Sequence, residues 1–285
     1  MIVDAHTHLF PPEIEAERES FLARDAWFGE AFASPKATFV TPEAMISSME
    51  GAGNDSSVVV GWPWRDVAHC DWHNAFLADV SGTSHGRLPW MAIVNPVSPE
   101  APNQVIDAKA KGAVAIGELN ADAQGFDWRD TDQLRPFAMT CIEADVPVMV
   151  HCSEPVGHLY PGKGTATPEA IVAFATAFPE LRIVAAHWGG GLPFYELMPE
   201  LKIALANVVY DSAASTYLYD FAVFETVTRL VGPEKVLFAS DYPVLKQRRF
   251  LERVRQVDLD PASMEAILGT NAVQMFRLGS RSDVT

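Results

Sequence analysis

Basic side chains are scarce: 21 lysines and arginines stand against 37 aspartates and glutamates, a formal charge of −16. Such a surface repels phosphate backbones and anionic lipid, which removes nucleic acids and membrane surfaces from the expected partners and leaves a small molecule. Cysteine is nearly missing. Cys70, Cys141 and Cys152 are too few and too scattered for a disulfide framework or a thiolate zinc site, and they fit a reduced, cytoplasmic setting. No apolar run reaches the roughly 20 residues of a membrane helix, and the first residues lack the basic and apolar stretches of a signal peptide. Repeats and low-complexity tracts are absent, and only residues 279–285 read as a polar tail. A glycine-rich turn after the first strand would mark a doubly wound dinucleotide-binding sheet, but the chain has His6-Thr7-His8-Leu9 there.

What is present is a large apolar fraction, 48% of 285 residues, in short β-rich runs that alternate with helical spacing. The eight runs are 2–6, 57–62, 88–95, 113–118, 146–151, 182–187, 207–211 and 235–241. Helical stretches follow at 42–51, 72–81, 99–111, 131–144, 168–178, 192–204, 221–230, 246–257 and 262–276. Thr41-Pro42, Ser98-Pro99 and Thr167-Pro168 are start signals, a capping hydroxyl before a proline at the first helical position. Strand alternating with helix implies a parallel sheet, and eight units are the number that closes a (β/α)8 TIM barrel. The expectation is one barrel domain over 1–278, with a long insertion at 9–41 after the first strand. Rich in aromatics, that insertion reads as a lid over the barrel mouth, the other reading being a helical piece packed on the side.

The strand ends carry metal-ligand residue types: His6 and His8, then Glu118, His151, His187 and Asp241. Residues two apart on a strand face the same way, so His6 and His8 can aim at one point while Thr7 turns aside. The same alternation puts Glu118, His151, His187 and Asp241 inside the barrel and turns Val150, Ala186 and Ser240 toward the helices. Cys152 should face away as a packed thiol. All six ligand types would meet above the carboxyl ends of the strands, where barrel enzymes keep their active sites. His69, His73, His85 and His158 do not fall in this pattern. Candidate substrate contacts lie on the loops after the strands: Trp62, Trp64, Arg65, Asn95, His158, Tyr160, Lys163 and Trp188.

Asp4-Ala5-His6-Thr7-His8, Val150-His151-Cys152, Ala186-His187-Trp188-Gly189-Gly190 and Phe238-Ala239-Ser240-Asp241-Tyr242-Pro243 resemble the metal-site motifs of the amidohydrolase superfamily, in its amidohydrolase-2 branch. The resemblance spans residues 2 to 276. It implies a divalent metal, usually zinc, held by His6, His8, His151 and Asp241, with His187 as ligand or catalytic base. Ala115-Ile116-Gly117-Glu118-Leu119 is similar to the strand of TatD-like and phosphotriesterase-related barrels in which a glutamate bridges two metals. That likeness implies one ion on His6, His8, Glu118 and Asp241 and a second on Glu118, His151 and His187.

The branch contains hydrolases and non-oxidative decarboxylases. With Glu118 in the set, the leading expectation is a hydrolase that activates a metal-bound water against a small ester, lactone or amide. Asp241 would then relay the proton to the leaving group. The alternative is a metal-dependent decarboxylase of a small unsaturated or aromatic acid. One or two zinc ions and a small-molecule substrate are expected, and the rim aromatics suit a homo-oligomer.

Overall fold

The computed structural model describes residues 1–279; most of the polar tail at 279–285 lies outside the described residues. The eight β-rich runs form eight strands: β1 (Val3–His8), β2 (Ser56–Val60), β3 (Met91–Ala92), β4 (Ala115–Leu119), β5 (Val148–Val150), β6 (Ile183–Ala185), β7 (Val208–Asp211) and β8 (Val236–Leu237). All pair in parallel and in sequence order, β1 with β2 and then β3 through β8. Two single bridges join these sheets into a ring, Val59 with Trp90 between β2 and β3, and Thr7 with Tyr242 beyond β8. The closing seam is built from backbone hydrogen bonds, Ala5 N to Phe238 O at 2.9 Å, Asp241 N to His6 O at 3.0 Å and His8 N to Tyr242 O at 2.7 Å. Asp4 reinforces it, accepting from Ser240 N, Ser240 Oγ and Gln247 Nε2. The protein is a (β/α)8 barrel.

Alternation along the strands sorts the apolar residues into two layers. Val3, Ala5, Val58, Val60, Met91, Ala115, Met149, Val184 and Leu237 fill the interior. Val59, Ala92, Ile116, Val148, Ile183 and Val208 face outward, where they meet helix residues such as Leu77, Phe137, Phe174 and Phe224. Both faces of each strand are thus buried, which is why the runs are near-continuously apolar.

Several elements differ from the sequence reading. Most strands are shorter than their runs, because the backbone leaves the sheet at the rim, so His151, His187 and Asp241 sit just past β5, β6 and β8. The helix expected from residue 72 starts at Val67, capped by the Asp66 carboxylate. Instead of one helix over 192–204, tight turns run from His187 to Leu197, and a helix follows at Pro199–Ala204. Left-handed backbone at Trp188, Gly189, Gly190 and Gly191 breaks helical propagation there. The last helical stretch is Pro261–Glu265, a wider turn at Ala266–Thr270, and Asn271–Phe276.

The insertion at 9–41 is largely helical and borders the barrel mouth. It folds into three short helices, Pro12–Ala16, Arg18–Arg24 and Ala26–Ala31, pinned by Phe10, Phe28, Phe32 and Phe39 packing on one another and on Trp62. Arg18 then clasps the stretch that follows, donating to the carbonyls of Phe32, Ser34 and Ala37. Residues 31–38 consequently stand as one wall of the cavity at the barrel mouth. Among the described residues no helix is long and apolar enough to cross a membrane.

Candidate metal centre

Strict alternation alone would not bring the ligand types together; two bulges do. On β1 the register passes from Asp4 opposite Ser57 to Thr7 opposite Val59, three residues against two. The extra residue lets Ala5 face the interior and still turns His6 and His8 to the mouth, while Thr7 Oγ1 donates to Val58 O. On β4 the register passes from Ile116 opposite Val148 to Leu119 opposite Val150, which returns Glu118 to the inside. Gly117 makes that bulge affordable in space: at φ +141° a Cβ would come within 2.5 Å of Met149 O.

The remaining ligands arrive by backbone reversals. Ala186 belongs to the interior layer, not to the helix side as alternation suggested; His187 still reaches the mouth because its own φ is +58°. Asp241 has the same left-handed conformation. Val150 and Cys152 face outward as expected.

The six side chains converge. His6, His8 and Asp241 form one group and Glu118, His151 and His187 another, and within each group the donor atoms lie within 4.8 Å of one another. Glu118 turns one oxygen to each group. Oε1 is 2.9 Å from His151 Nδ1 and 3.1 Å from His187 Nε2, while Oε2 is 3.5 Å from His6 Nε2 and 3.8 Å from His8 Nε2. His8 Nε2 is also 3.2 Å from Asp241 Oδ1.

One further carboxylate belongs to the site and escaped the sequence reading. Asp211, fully buried at the end of β7, accepts a hydrogen bond from Nδ1 of His6 at 2.9 Å, which leaves His6 Nε2 facing His8 and Glu118. Its other oxygen accepts from the backbone of His187 and Ala213. The signal was available, since Asp211 ends the seventh run just as the other acids and histidines end theirs. Asp211→Asn is expected to weaken divalent-cation binding about 10–100-fold by releasing the His6 ring; competition titration against a chelating dye reads this, and an unchanged affinity would make Asp211 purely structural.

Burial and close opposite charges compete at these groups. Burial opposes charge on His6, yet Glu118 and Asp211 outweigh it and hold the ring well above its ordinary pKa. His187 is likewise opposed by burial but lifted to about 9 by its hydrogen bond to Glu118. Against its own burial, Glu118 is held well below the carboxylate range by His6 and His151, and Asp241 is lowered mainly by His8. Protons on imidazoles here balance two ionised acids. A divalent cation fits the same donor set and would take over that balance as the rings lose their protons.

Above these residues lies a cavity of about 510 Å³, whose floor includes His8, Glu118, His151, His187 and Asp241. Of the candidate substrate contacts, Trp62, His158 and Tyr160 line it. Arg65, Asn95, Lys163 and Trp188 do not, and each has another task. Arg65 is exposed and packs beside Gly125. Asn95 donates to the carbonyls of Arg65 and Gln124. Lys163 donates to those of Val156 and His158. Trp188 is buried against Phe224 with its indole N–H on Ser215 Oγ. Trp64 is also buried, bonded to His73. Asn120, Tyr217 and Leu218 line the cavity without having been singled out by their sequence context, and Phe32 of the aromatic insertion joins them.

The Amidohydro_2 family model, amidohydrolase, matches residues 3–278. The chain belongs to the amidohydrolase family. No curated protein matches this amidohydrolase by sequence. Among solved structures, the 5-carboxyvanillate decarboxylase of Sphingomonas paucimobilis is similar with a TM-score of 0.81 at 13% identity, covering 98% of this chain and 99% of that one. The 5-carboxyvanillate decarboxylase of Novosphingobium aromaticivorans, solved with manganese and 4-hydroxy-3-methoxy-5-nitrobenzoic acid, gives 0.79 at 18% identity, covering 98% and 96%. The 2,6-dihydroxybenzoate decarboxylase from Rhizobium gives 0.75 at 17%, covering 97% and 98%. These likenesses correct the leading expectation of an ester, lactone or amide hydrolase, because these three barrels, each matched over nearly its whole length, are decarboxylases.

Proposed function

We propose that this amidohydrolase-family protein is a metal-dependent, non-oxidative decarboxylase of a small aromatic or unsaturated carboxylic acid. The observation that carries the reading is the contrast within one cavity: a floor of imidazoles and carboxylates under walls formed by Phe32, Trp62, Pro63, Leu218 and Pro243. A planar apolar ring matches the walls, and its carboxylate end matches a cation-bearing floor.

His6, His8, Asp241, Glu118, His151 and His187 would hold the metal, and imidazole with carboxylate suits manganese as well as zinc. When bound, the cation supplies the positive charge that draws an anionic substrate to the floor and withdraws electron density from it.

The chain's own residues do the rest. Loss of CO2 requires a proton on the carbon that carried it, so the cavity needs a group able to deliver one. His187 has both ring nitrogens engaged, Nδ1 on Ala213 O and Nε2 on Glu118. Asp241 lines the cavity with Oδ1 beside His8, and among the described residues its Oδ2 meets no partner. A substrate carboxylate arriving next to Asp241 is a like charge and raises its affinity for a proton. Asp241 then passes that proton to the ring carbon, the carbon–carboxylate bond breaks, CO2 leaves, and Asp241 is again a carboxylate. Phe32 and Trp62 exclude bulk water from the reacting face.

The test is the manganese- or zinc-loaded protein against a panel of hydroxybenzoates and unsaturated acids in D2O. CO2 release with one deuterium at the vacated carbon is expected. Cleavage of esters, lactones or amides with no CO2 from any acid would overturn the reading.

A further inference from the structure

Asn120 stands where β4 ends, two residues beyond Glu118, and it lines the cavity although only 4% of its surface is accessible. Its side chain has no freedom. Oδ1 caps the short helix Ala121–Gln124, accepting from Asp122 N at 3.0 Å and Ala123 N at 3.1 Å. Two backbone N–H groups can only point at the amide oxygen, so the amide orientation is fixed by its partners. Gln124 tightens the turn, with Oε1 accepting from Asn120 N and Nε2 donating to the carbonyls of Trp64 and Val94.

The consequence is a committed oxygen and an uncommitted nitrogen. Among the described residues nothing accepts the two Nδ2 protons, and the cavity is the open space against this residue. A nearly buried donor without an acceptor costs free energy unless a ligand supplies one. Of the permanent cations, Arg65 lies beside Gly125 and Lys163 bonds its own loop, whereas Lys36 lines the cavity from the insertion wall and not from the strand end that carries Asn120.

We propose that Asn120 is the specificity-determining residue of the cavity, its Nδ2 donating to an oxygen substituent, hydroxyl or oxo, next to the carboxylate of the acid. The inference rests on the decarboxylase reading for its substrate class, yet it is a statement about binding and is tested as binding. An acid with that oxygen gains a hydrogen bond from a donor already held in place; an acid without it leaves the donor unpaired.

The probes are 2-hydroxybenzoate and benzoate, titrated into the metal-loaded protein and followed by calorimetry. The unsubstituted protein is expected to prefer 2-hydroxybenzoate by about tenfold, the worth of one such bond to a charged or strongly polar acceptor. Two variants keep the helix cap while removing the donor. Asn120→Ser can still cap through its hydroxyl, and Asn120→Asp caps as well as asparagine but presents a carboxylate oxygen to the cavity. Both should retain the melting temperature and lose the preference, and Asp should bind 2-hydroxybenzoate more weakly than Ser. Because the readout is a ratio between two acids, a general loss of affinity cancels. No preference in the unsubstituted protein, or a ratio that survives both substitutions within twofold, overturns the proposal. The decarboxylase reading fails separately, by absence of CO2 from the hydroxybenzoate panel while the binding preference persists.

Discussion

Asp241→Asn is expected to lower the rate of CO2 release by about 10³-fold, within the range that positioned proton donors contribute. The reasoning is geometric. Asp241 is held at the seam by the bond from its N–H to His6 O, and the turn after it closes with Val244 N on Asp241 O, so its backbone is fixed at the cavity floor. Asparagine occupies the same volume and can keep a contact with His8, but its amide cannot take a proton from solvent and hand it to carbon. Metal content should fall much less than turnover, because five other donors remain in the two groups. The pair of measurements, metal per chain and kcat, separates lost chemistry from a lost ion. Turnover within tenfold of the unsubstituted protein would move the proton to another group, His187 being next on the cavity floor.

Glu118→Gln should act chiefly on the metal. Glu118 faces both ligand groups, with one oxygen toward His151 and His187 and the other toward His6 and His8. The amide has the same shape without the negative charge that faces the ligand site. Cation affinity is therefore expected to drop about 100-fold or more, and a protein that binds two ions per chain should retain one. The metal-free variant should also lose the proton-holding power of the site, since the raised pKa of His187 comes mainly from Glu118 against the cost of burial. Elemental analysis of dialysed protein gives the stoichiometry, and a proton NMR titration of the imidazoles gives the second effect. Unchanged metal content in Glu118→Gln would reduce Glu118 to a counter-charge.

Much of this architecture is written in the order of residue types. The β-rich runs place all eight strands, and the six ligand types at their ends come from that reading because a parallel barrel sends every strand end to one rim. The parts that escaped share a physical cause. Bulges at residues 4–7 and 117–118 break the alternation, and a one-residue insertion leaves no mark in an apolar run. The left-handed backbone at His187 and Asp241 is similarly silent, since neither is glycine. Arg65 and Lys163 looked like substrate contacts because their loops were right, but a flexible charged side chain takes whichever carbonyl or surface lies nearest. Asn120 was not singled out at all, and only coordinates reveal that capping the short helix after β4 consumes one half of its amide.

The seam between β1 and β8 has a bearing on how the protein comes into being. His6 lies on the first strand of the barrel and Asp241 just past the last, yet the two are neighbours across the ring and share a backbone hydrogen bond. No nascent fragment that lacks either strand can assemble the centre, however well its early βα units form. Ion capture is therefore a late event in biosynthesis, and long-range closure of this kind is slow compared with local helix formation. Holding a cation then reports that the whole ring has closed, and it draws the equilibrium toward that finished state.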